Sequence, residues 1–205
     1  MKKQTKKQTK QPRSLSFGNL AQDYQKYRKT YNAALYKKLF ALIASRKEKK
    51  GEKTDILDIG CGTGKSTIGL IASAPRKMKS TSPGGSSLTV IGIDPDPKML
   101  DEARAYAETH QLPITYMQGT AEKLPFKKER FDAVISGTAF HWFATKKTFT
   151  KIRNTLKPGG VCMVFWTWKR KGQNEGREAE AELLKKYDWK SISAKWRDIE
   201  NIRQL

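Results

Sequence analysis

The chain has 205 residues, of which 37% are hydrophobic, and 41 lysines and arginines against 20 acids give it a net charge of +21. That length allows one domain with a sizeable core. No apolar run is long enough for a signal peptide or a membrane span, so we expect a soluble, cytoplasmic protein without a membrane contact. Cys61 and Cys162 lie far apart and outside any Cys-x-x-Cys motif, which argues against a disulfide framework or a zinc site.

The positive charge is concentrated in the first part of the chain. Residues 1–50 carry +13, residues 51–165 carry +5 and residues 166–205 carry +3. The opening segment MKKQTKKQTKQPR has no acid and no apolar residue after Met1, so residues 1–16 are predicted to be a disordered basic arm. This arm has two interpretations: it is a solubilising tail, or it makes a weak contact with nucleic acid or another anionic surface.

The first predicted elements surround a glycine-rich turn. Apolar periodicity predicts helical structure over Phe17–Arg46, with an inner face of Tyr31, Leu35, Leu39, Leu42 and Ile43. A charged loop follows, and then a buried strand over Asp55–Ile59. A helix over Lys65–Ala74 begins after the turn. Residues 75–87 are rich in serine, glycine, proline and lysine and are predicted to form a flexible loop.

The rest of the chain alternates strands with helices. Further strands are predicted over Leu88–Ile93, Ile114–Gln118, Phe131–Ser136 and Val161–Trp168. Further helices are predicted over Pro97–His110, Thr145–Leu156 and Glu175–Tyr187, with a Pro-Gly-Gly turn over Lys157–Gly160. Met99, Ala103, Tyr106 and Ala107 are expected to face inward from the first of these helices, and Phe149, Ile152 and Leu156 from the second. This alternation predicts an α/β fold with a parallel sheet that helices cover on both faces.

The glycine turn and the strand after it carry the strongest functional signal. Residues 56–67 read ILDIGCGTGKST, and residues 91–100 read IGIDPDPKML. Glycines at positions 60, 62 and 64 let the backbone turn sharply and approach a ligand that a Cβ would exclude. Asp94 ends an apolar strand, so its carboxylate is expected at the carboxyl edge of the sheet, where it can accept hydrogen bonds from a ribose diol.

Two other nucleotide sites fit this turn less well. A phosphate-binding P-loop needs a glycine five residues before Gly64, and position 59 is isoleucine, so the GxxxxGK[ST] pattern fails. The GxGxxG pattern of dinucleotide sites is replaced by GxGxG after an acid. A carboxylate at Asp58 suits a cationic ligand better than it suits a pyrophosphate.

Five ordered motifs over residues 17–168 resemble class I S-adenosylmethionine-dependent methyltransferases of the type-11 small-molecule group. They are DIGCGTG, the strand ending in Asp94, GTAEKLPF, FDAVISGTAFHWF and LKPGG. The resemblance implies a Rossmann-like, doubly wound, mostly parallel sheet and S-adenosylmethionine as cofactor. It also implies that the loop at Asp58, Gly60, Cys61 and Gly62 underlies the cofactor's amino-acid part, with the acid engaging its amino group. Asp94 would then hold the ribose, and Pro95 would continue the loop beneath the adenosine.

The later motifs extend the implied site. Relatives often carry an acid for the adenine amino group where this chain has Thr120, but the Ala121 backbone N–H and the Glu122 carboxylate remain available. Ser136 is placed at the sulfonium edge. His141 is either a general base or, with Trp142, part of an aromatic wall that shapes the pocket. Residues 17–50 resemble the family's lid helices, in which Tyr24 would contact the cofactor and Arg28 an anionic group, or the segment only packs.

The end of the chain departs from the family pattern. Class I sheets have seven strands, and residues 188–205 contain no hairpin signal, so the last two strands are expected to be absent and these residues to form a helical extension of a cofactor-binding domain at 51–187. We expect a monomeric methyltransferase that acts on a small-molecule acceptor. The alternatives are an RNA-modifying methyltransferase and a cofactor-binding protein whose catalysis is lost through truncation.

Overall fold

The computed structural model describes residues 21–28, 30–47, 53–78 and 87–166. The basic arm at 1–16, most of the loop at 75–87, and everything predicted after position 166 lie outside the described residues. That part of the chain includes the helix predicted at 175–187 and the extension at 188–205. In the described ranges, no helix is both long enough and apolar enough to cross a membrane.

Five strands alternate with helices, as the sequence predicts. The strands are β1 (Thr54–Ile59), β2 (Leu88–Asp94), β3 (Ile114–Gln118), β4 (Phe131–Gly137) and β5 (Leu156–Phe165). The helices are α1 (Ala21–Tyr27), α2 (Ala33–Ala44), α3 (Lys65–Ser73), α4 (Pro97–Thr109) and α5 (Lys146–Thr155). Short 3-10 segments lie at Arg76–Met78, Ala121–Lys123 and Phe140–Trp142.

All pairings in the sheet are parallel, and the strand order is β3-β2-β1-β4-β5. The order reverses direction between β1 and β4, and in open α/β sheets ligands bind at such a switch point, beyond the carboxyl ends of the strands. The predicted Rossmann-like parallel fold is therefore confirmed, and the glycine turn that follows β1 lies at the switch point.

The core is divided between the two faces of the sheet because successive strand residues point to opposite sides. Ile56 packs with the side chains of α2 and α3, including Leu39 and Leu70. The next residue, Leu57, belongs to a second cluster with Phe131 and Ile152. Both faces are thus covered, which is why the strands read as nearly continuous apolar runs.

Two local expectations were wrong. The first concerns the helix predicted over 17–46, which is broken after Tyr27, because Asn32 caps a new helix by accepting the Ala34 N–H at 2.9 Å. The turn predicted at 157–160 is present, but it interrupts β5 after its first residue: Phe131 pairs with Leu156, Ala133 pairs with Val161, and Gly159 between them has a φ of +70°.

The second wrong expectation concerns α5. Phe149 is 38% exposed, although it was expected to face inward. The polar residues Thr148 and Thr155 are buried beside Ile152 instead. Their hydroxyls bond within the helix and its cap, which allows small polar side chains to replace apolar ones there.

Candidate functional site

A cavity of about 240 Å³ opens at the carboxyl ends of the strands. Its walls come from the α1–α2 segment, the glycine loop after β1, the loops after β2 and β3, and the segment after β4. The lining residues are Tyr24, Arg28, Tyr31, Ile59, Gly60, Cys61, Gly62, Lys65, Ser66, Asp94, Pro95, Met99, Gly119, Thr120, Ala121, Glu122, Gly137, Thr138, Ala139, His141, Trp142 and Phe143.

The glycine loop forms the floor of this cavity. Gly60, Gly62 and Gly64 have φ values of +72°, +55° and +82°, a region that residues with a Cβ rarely adopt. The N–H groups of Gly60 and Cys61 both donate to the Ile93 carbonyl, at 2.8 Å and 3.1 Å, which ties the loop to the end of β2. The backbone of the loop is therefore fixed, and its residues Gly60, Cys61 and Gly62 line the cavity.

Asp94 is held on both of its carboxylate oxygens. The Gly62 N–H donates to Oδ2 and the Asp96 N–H donates to Oδ1, each at 2.9 Å. Burial raises the pKa of Asp94 to about 6, although both backbone hydrogen bonds lower it. Each carboxylate oxygen has two lone pairs, so the fixed side chain can still accept hydrogen bonds from a ligand hydroxyl pair.

Asp58 lies beneath the loop and does not line the cavity. It is fully buried, and the Ser66 hydroxyl donates to its Oδ2. Its Oδ1 has no hydrogen-bond partner among the described residues. Burial raises the pKa of Asp58 to about 7, and the nearby charge of Asp94 acts in the same direction, while the Ser66 hydrogen bond opposes them. An unpartnered buried carboxylate oxygen is costly, and a cation in the cavity above would offset part of that cost.

The α1–α2 segment closes one side of the cavity. The Tyr31 hydroxyl donates to Thr138 Oγ1 at 3.1 Å, which joins the segment to the end of β4. The Arg28 guanidinium lies 5.1 Å from the centre of the Tyr24 ring. Burial raises the pKa of Tyr24 to about 12, and the Arg28 charge opposes that rise. Tyr24 therefore stays a neutral phenol beside a cationic guanidinium.

The segment after β4 forms the opposite wall. Thr138 has a φ of +56°, which is unusual for a β-branched residue, and its N–H donates to the Phe165 carbonyl at 2.8 Å. The rings of His141 and Trp142 lie 4.9 Å apart between centroids, and both line the cavity. Backbone outliers of this kind cluster at ligand sites, where the surrounding contacts hold them in place.

Ser136 lies behind this wall and does not reach the cavity. Its side chain is buried, and its hydroxyl donates to the Ile59 carbonyl at 2.9 Å, which links β4 to β1. The next residue is Gly137, and a Cβ there would lie 2.9 Å from the Tyr31 hydroxyl oxygen. At this edge the cavity is therefore lined by Gly137, Thr138 and Ala139, which follow Ser136.

Nine of the eleven predicted site residues line the cavity together, and Asp58 and Ser136 lie just behind it. The nine are Tyr24, Gly60, Cys61, Gly62, Asp94, Pro95, Ala121, Glu122 and His141. The sequence analysis did not single out Lys65 or Thr138 as site residues. Lys65 directly follows the glycine turn, so its position was a usable signal, whereas nothing in the sequence marks the left-handed backbone at Thr138.

The donor set fits a cationic nucleoside better than it fits a metal ion. The described residues contain no group of three or more His, Cys, Asp or Glu side chains that could hold a metal. A Cβ at Gly60 would fall 2.5 Å from the Ala139 Cβ, so the close approach of the loop to the segment after β4 depends on glycine. Two carboxylates with raised pKa values, one of them aimed at the cavity, suit a ligand with a diol and a positive charge.

Comparisons with known proteins agree with this geometry. A family model described as a methyltransferase domain matches residues 56–160. An uncharacterised methyltransferase of Mycobacterium tuberculosis is 31% identical over 176 residues, which cover 82% of this chain and 61% of that protein. The chain thus spans about three fifths of the length of that curated relative.

Solved structures show the same fold. One is a protein from Methanococcus maripaludis with a provisional assignment as an S-adenosyl-L-methionine-dependent methyltransferase. Its TM-score is 0.58 at 20% identity, and the match covers 100% of this chain and 85% of that one. Another is an S-adenosylmethionine-dependent methyltransferase from Clostridium acetobutylicum, with a TM-score of 0.51 at 20% identity, over 72% of this chain and 56% of that one. The chain therefore belongs to the methyltransferase-domain family, has the Rossmann-like fold of S-adenosylmethionine-dependent methyltransferases, and has S-adenosylmethionine as the cofactor that this membership implies.

Proposed function

We propose that this chain transfers the sulfonium methyl group of S-adenosylmethionine to a small-molecule acceptor. The observation that carries the proposal is the Asp94 carboxylate, which Gly62 and Asp96 fix at the cavity beside the glycine loop that lines it. When bound, the cofactor would supply an electrophilic methyl carbon, and an acceptor lone pair would take that methyl group while the carbon–sulfur electrons stay on sulfur.

The chain's contribution on the cofactor side is binding and orientation. Asp94 accepts hydrogen bonds from the ribose hydroxyls. Gly60 and Gly62 have no side chains, so the cofactor's amino-acid part can lie close to their backbone. Asp58 acts through the loop, as a buried negative charge that favours a cation above it. Each of these roles uses a group whose position is already fixed by backbone hydrogen bonds or burial.

Two cations of the cavity wall suit the cofactor's carboxylate. Arg28 and Lys65 both line the cavity, and burial lowers the pKa of Lys65. An arginine fork can hold a carboxylate through two parallel hydrogen bonds. On the adenine side we assign the Ala121 backbone N–H and the Glu122 carboxylate, which lie in the 3-10 segment after β3.

The acceptor side is lined by aromatic rings and the Tyr31–Thr138 hydrogen bond. We assign His141 and Trp142 to a wall that excludes water and aligns the acceptor, since methyl transfer to a good nucleophile depends on alignment more than on proton removal. A site enclosed between this wall and the α1–α2 segment favours a small acceptor. We therefore treat residues 17–50 as a lid over a cofactor domain that begins at residue 51.

The same proposal places the protein in the cytoplasm as a monomer. Support for a reducing compartment comes from the two cysteines, since Cys61 is a buried free thiol and Cys162 an exposed one. An exposed thiol in an oxidising compartment would tend to form intermolecular disulfides.

The proposal is tested by a metabolite screen with methyl-labelled S-adenosylmethionine. Fractionated small-molecule extract is incubated with the protein, and labelled products are resolved by mass. We expect a labelled product below about 1 kDa with wild type and at least tenfold less with Asp94→Asn, because a hydrogen bond to a charged group is lost. The absence of any labelled small-molecule product, or equal labelling by both proteins, would contradict it.

A further inference from the structure

We propose that helix α5 and the loop before β4 form a binding surface for single-stranded nucleic acid. We call it the α5 basic surface and define it by its cations and one aromatic ring: Lys127, Lys128, Arg130, Lys146, Lys147, Phe149, Lys151 and Arg153. This binding goes beyond the proposed methyl transfer and does not depend on which molecule accepts the methyl group.

The first observation is an unbalanced charge on the folded part of the chain. Residues 121–157 contain nine lysines and arginines but only three acids. Helix α5 contributes four of the cations and no acid. A helix without acids gains nothing from internal ion pairs, so this composition suits an external anionic partner.

The acids nearby do not neutralise the surface. Asp132 is already engaged by Lys157 at 2.9 Å and by Lys47 at 3.3 Å. None of the seven cations of the α5 basic surface forms an ion pair within the described part of the chain. These residues are exposed, apart from Lys151, which is half-buried, and the Arg130 guanidinium lies over the Phe126 and Phe131 rings.

The second observation is that the loop and the helix form one continuous surface. The Glu129 N–H donates to the Asn154 carbonyl and the Arg130 N–H to the Thr155 carbonyl, both at 2.9 Å. These two hydrogen bonds hold the loop against the last turn of α5. The loop that carries the cations at 127, 128 and 130 is thus anchored at the end of α5 and extends the charge of the helix.

The third observation is an exposed aromatic ring among the cations. Phe149 and Tyr27 are the exposed large hydrophobic side chains of the described residues. Phe149 lies three residues after Lys146 and four before Arg153, so the three share one stripe of the helix. The Phe149 ring rests against Phe140, with centroids 5.1 Å apart, which fixes its orientation.

These features favour single-stranded nucleic acid over other anionic partners. Proteins that bind single strands combine cations that follow the phosphates with aromatic rings on which bases stack. An anionic membrane would call for several inserted apolar side chains, whereas this surface offers one. The surface also adjoins the cavity, because Phe140 precedes His141 and Trp142 of the cavity wall.

The test is fluorescence anisotropy of the full-length protein with a labelled oligouridylate of about 12 nucleotides, across a range of salt concentrations. One variant is the triple substitution Lys146→Gln, Lys147→Gln and Lys151→Gln. A matched control removes the same charge from exposed positions of α1 and α2, with Lys26→Gln, Lys37→Gln and Lys38→Gln. Both variants keep the basic arm, so its contribution is the same in each.

We expect the α5 triple variant to reduce the slope of log affinity against log salt by about 2, since each lost phosphate contact on a single strand accounts for roughly 0.7. The control triple variant should keep the wild-type slope. Phe149→Leu keeps an apolar contact with Phe140 but removes the stacking ring, and it should weaken binding about fivefold or more without changing the slope.

Binding of S-adenosylmethionine, measured on every variant, separates a folding defect from a loss of the surface. The proposal is overturned if the α5 triple variant behaves like the control, or if Phe149→Leu binds as wild type does. It is also overturned if vesicles that contain phosphatidylserine bind the protein and the oligonucleotide does not. None of these results bears on methyl transfer, so the two proposals fail separately.

Discussion

The Gly62 N–H donates to Oδ2 of Asp94 at 2.9 Å, across the gap between the ends of β1 and β2. The same carboxylate accepts the Asp96 N–H on its other oxygen. The Asp94 side chain therefore fixes the glycine loop and, in our proposal, also accepts hydrogen bonds from the ribose. The loop's shape and the cofactor's position are linked through this contact, so a change in either should affect both.

Gly60 tests the loop itself. Its φ of +72° and the 2.5 Å approach of a built Cβ to the Ala139 Cβ both oppose any side chain. We expect Gly60→Ala to lower the free energy of unfolding by about 1–3 kcal/mol and to abolish measurable cofactor binding, as judged by urea denaturation and calorimetry. Gly119→Ala is the control for stability only, because a Cβ there meets no protein atom within 4 Å but Gly119 lines the cavity. An equal loss of unfolding free energy in the two variants would contradict this explanation of the loop.

Asp58 should make stability depend on pH. Its folded-state pKa of about 7 lies above the ordinary value near 3.8, so its carboxyl group holds a proton in the fold that the unfolded chain releases. The stabilisation is fully present below about pH 4 and is lost as the pH rises through about 7, at about 1.4 kcal/mol per pKa unit.

The measurement is urea denaturation at about pH 5 and about pH 8, on either side of the folded-state pKa. Wild type should be more stable at the lower pH by a few kcal/mol, and Asp58→Asn should reduce that difference. Asp94, whose pKa is also raised, would account for the remaining dependence. The lowered pKa of Asp132 affects stability at a more acidic pH, where stability is lost as that carboxylate takes up a proton. An unchanged pH difference in the variant would rule Asp58 out as its source.

Tyr31 tests whether the α1–α2 segment acts as a lid. Tyr31→Phe removes the 3.1 Å hydrogen bond to Thr138 but keeps the edge-to-face contact with Phe165, whose ring centroid is 4.7 Å away. We expect the cofactor to dissociate roughly two- to tenfold faster in stopped-flow fluorescence, since one neutral hydrogen bond is lost. Tyr27→Phe changes an exposed phenol and should have no effect. Identical dissociation rates for all three proteins would show that the segment only packs.

His141 distinguishes a wall from a general base. If it belongs to the wall, His141→Phe should keep turnover within a few-fold of wild type, with the same pH profile, whereas a lost base would cost about 10²–10⁴ in rate. The measurement is kcat against pH with the acceptor found in the metabolite screen. His141→Ala is the companion variant, because opening the wall should raise the acceptor KM. A large loss of kcat in both variants would assign the base role.

The strands and the glycine cradle could be predicted from the sequence because each has a local cause. β1 and β2 are short apolar runs with polar ends, and Gly60 and Gly62 mark backbone that needs a positive φ. The Tyr31–Thr138 contact could not be predicted, since 107 residues separate its partners and the left-handed φ of Thr138 has no sequence signal. Ser136 was expected at the cavity but lies behind it. Successive strand residues point to opposite sides, and the Ser136 hydroxyl donates to the Ile59 carbonyl instead.

The central claim is that the cradle at Asp94 binds S-adenosylmethionine, and calorimetric titration of the full chain with the cofactor tests it most directly. Asp94→Asn is compared with Asp101→Asn, an exposed acid of the neighbouring helix α4. We predict one site on wild type, unchanged affinity for Asp101→Asn, and affinity weaker by about tenfold to a hundredfold for Asp94→Asn, as expected when a charged hydrogen-bond acceptor is lost. No binding by wild type, or equal affinity in all three proteins, would contradict the claim.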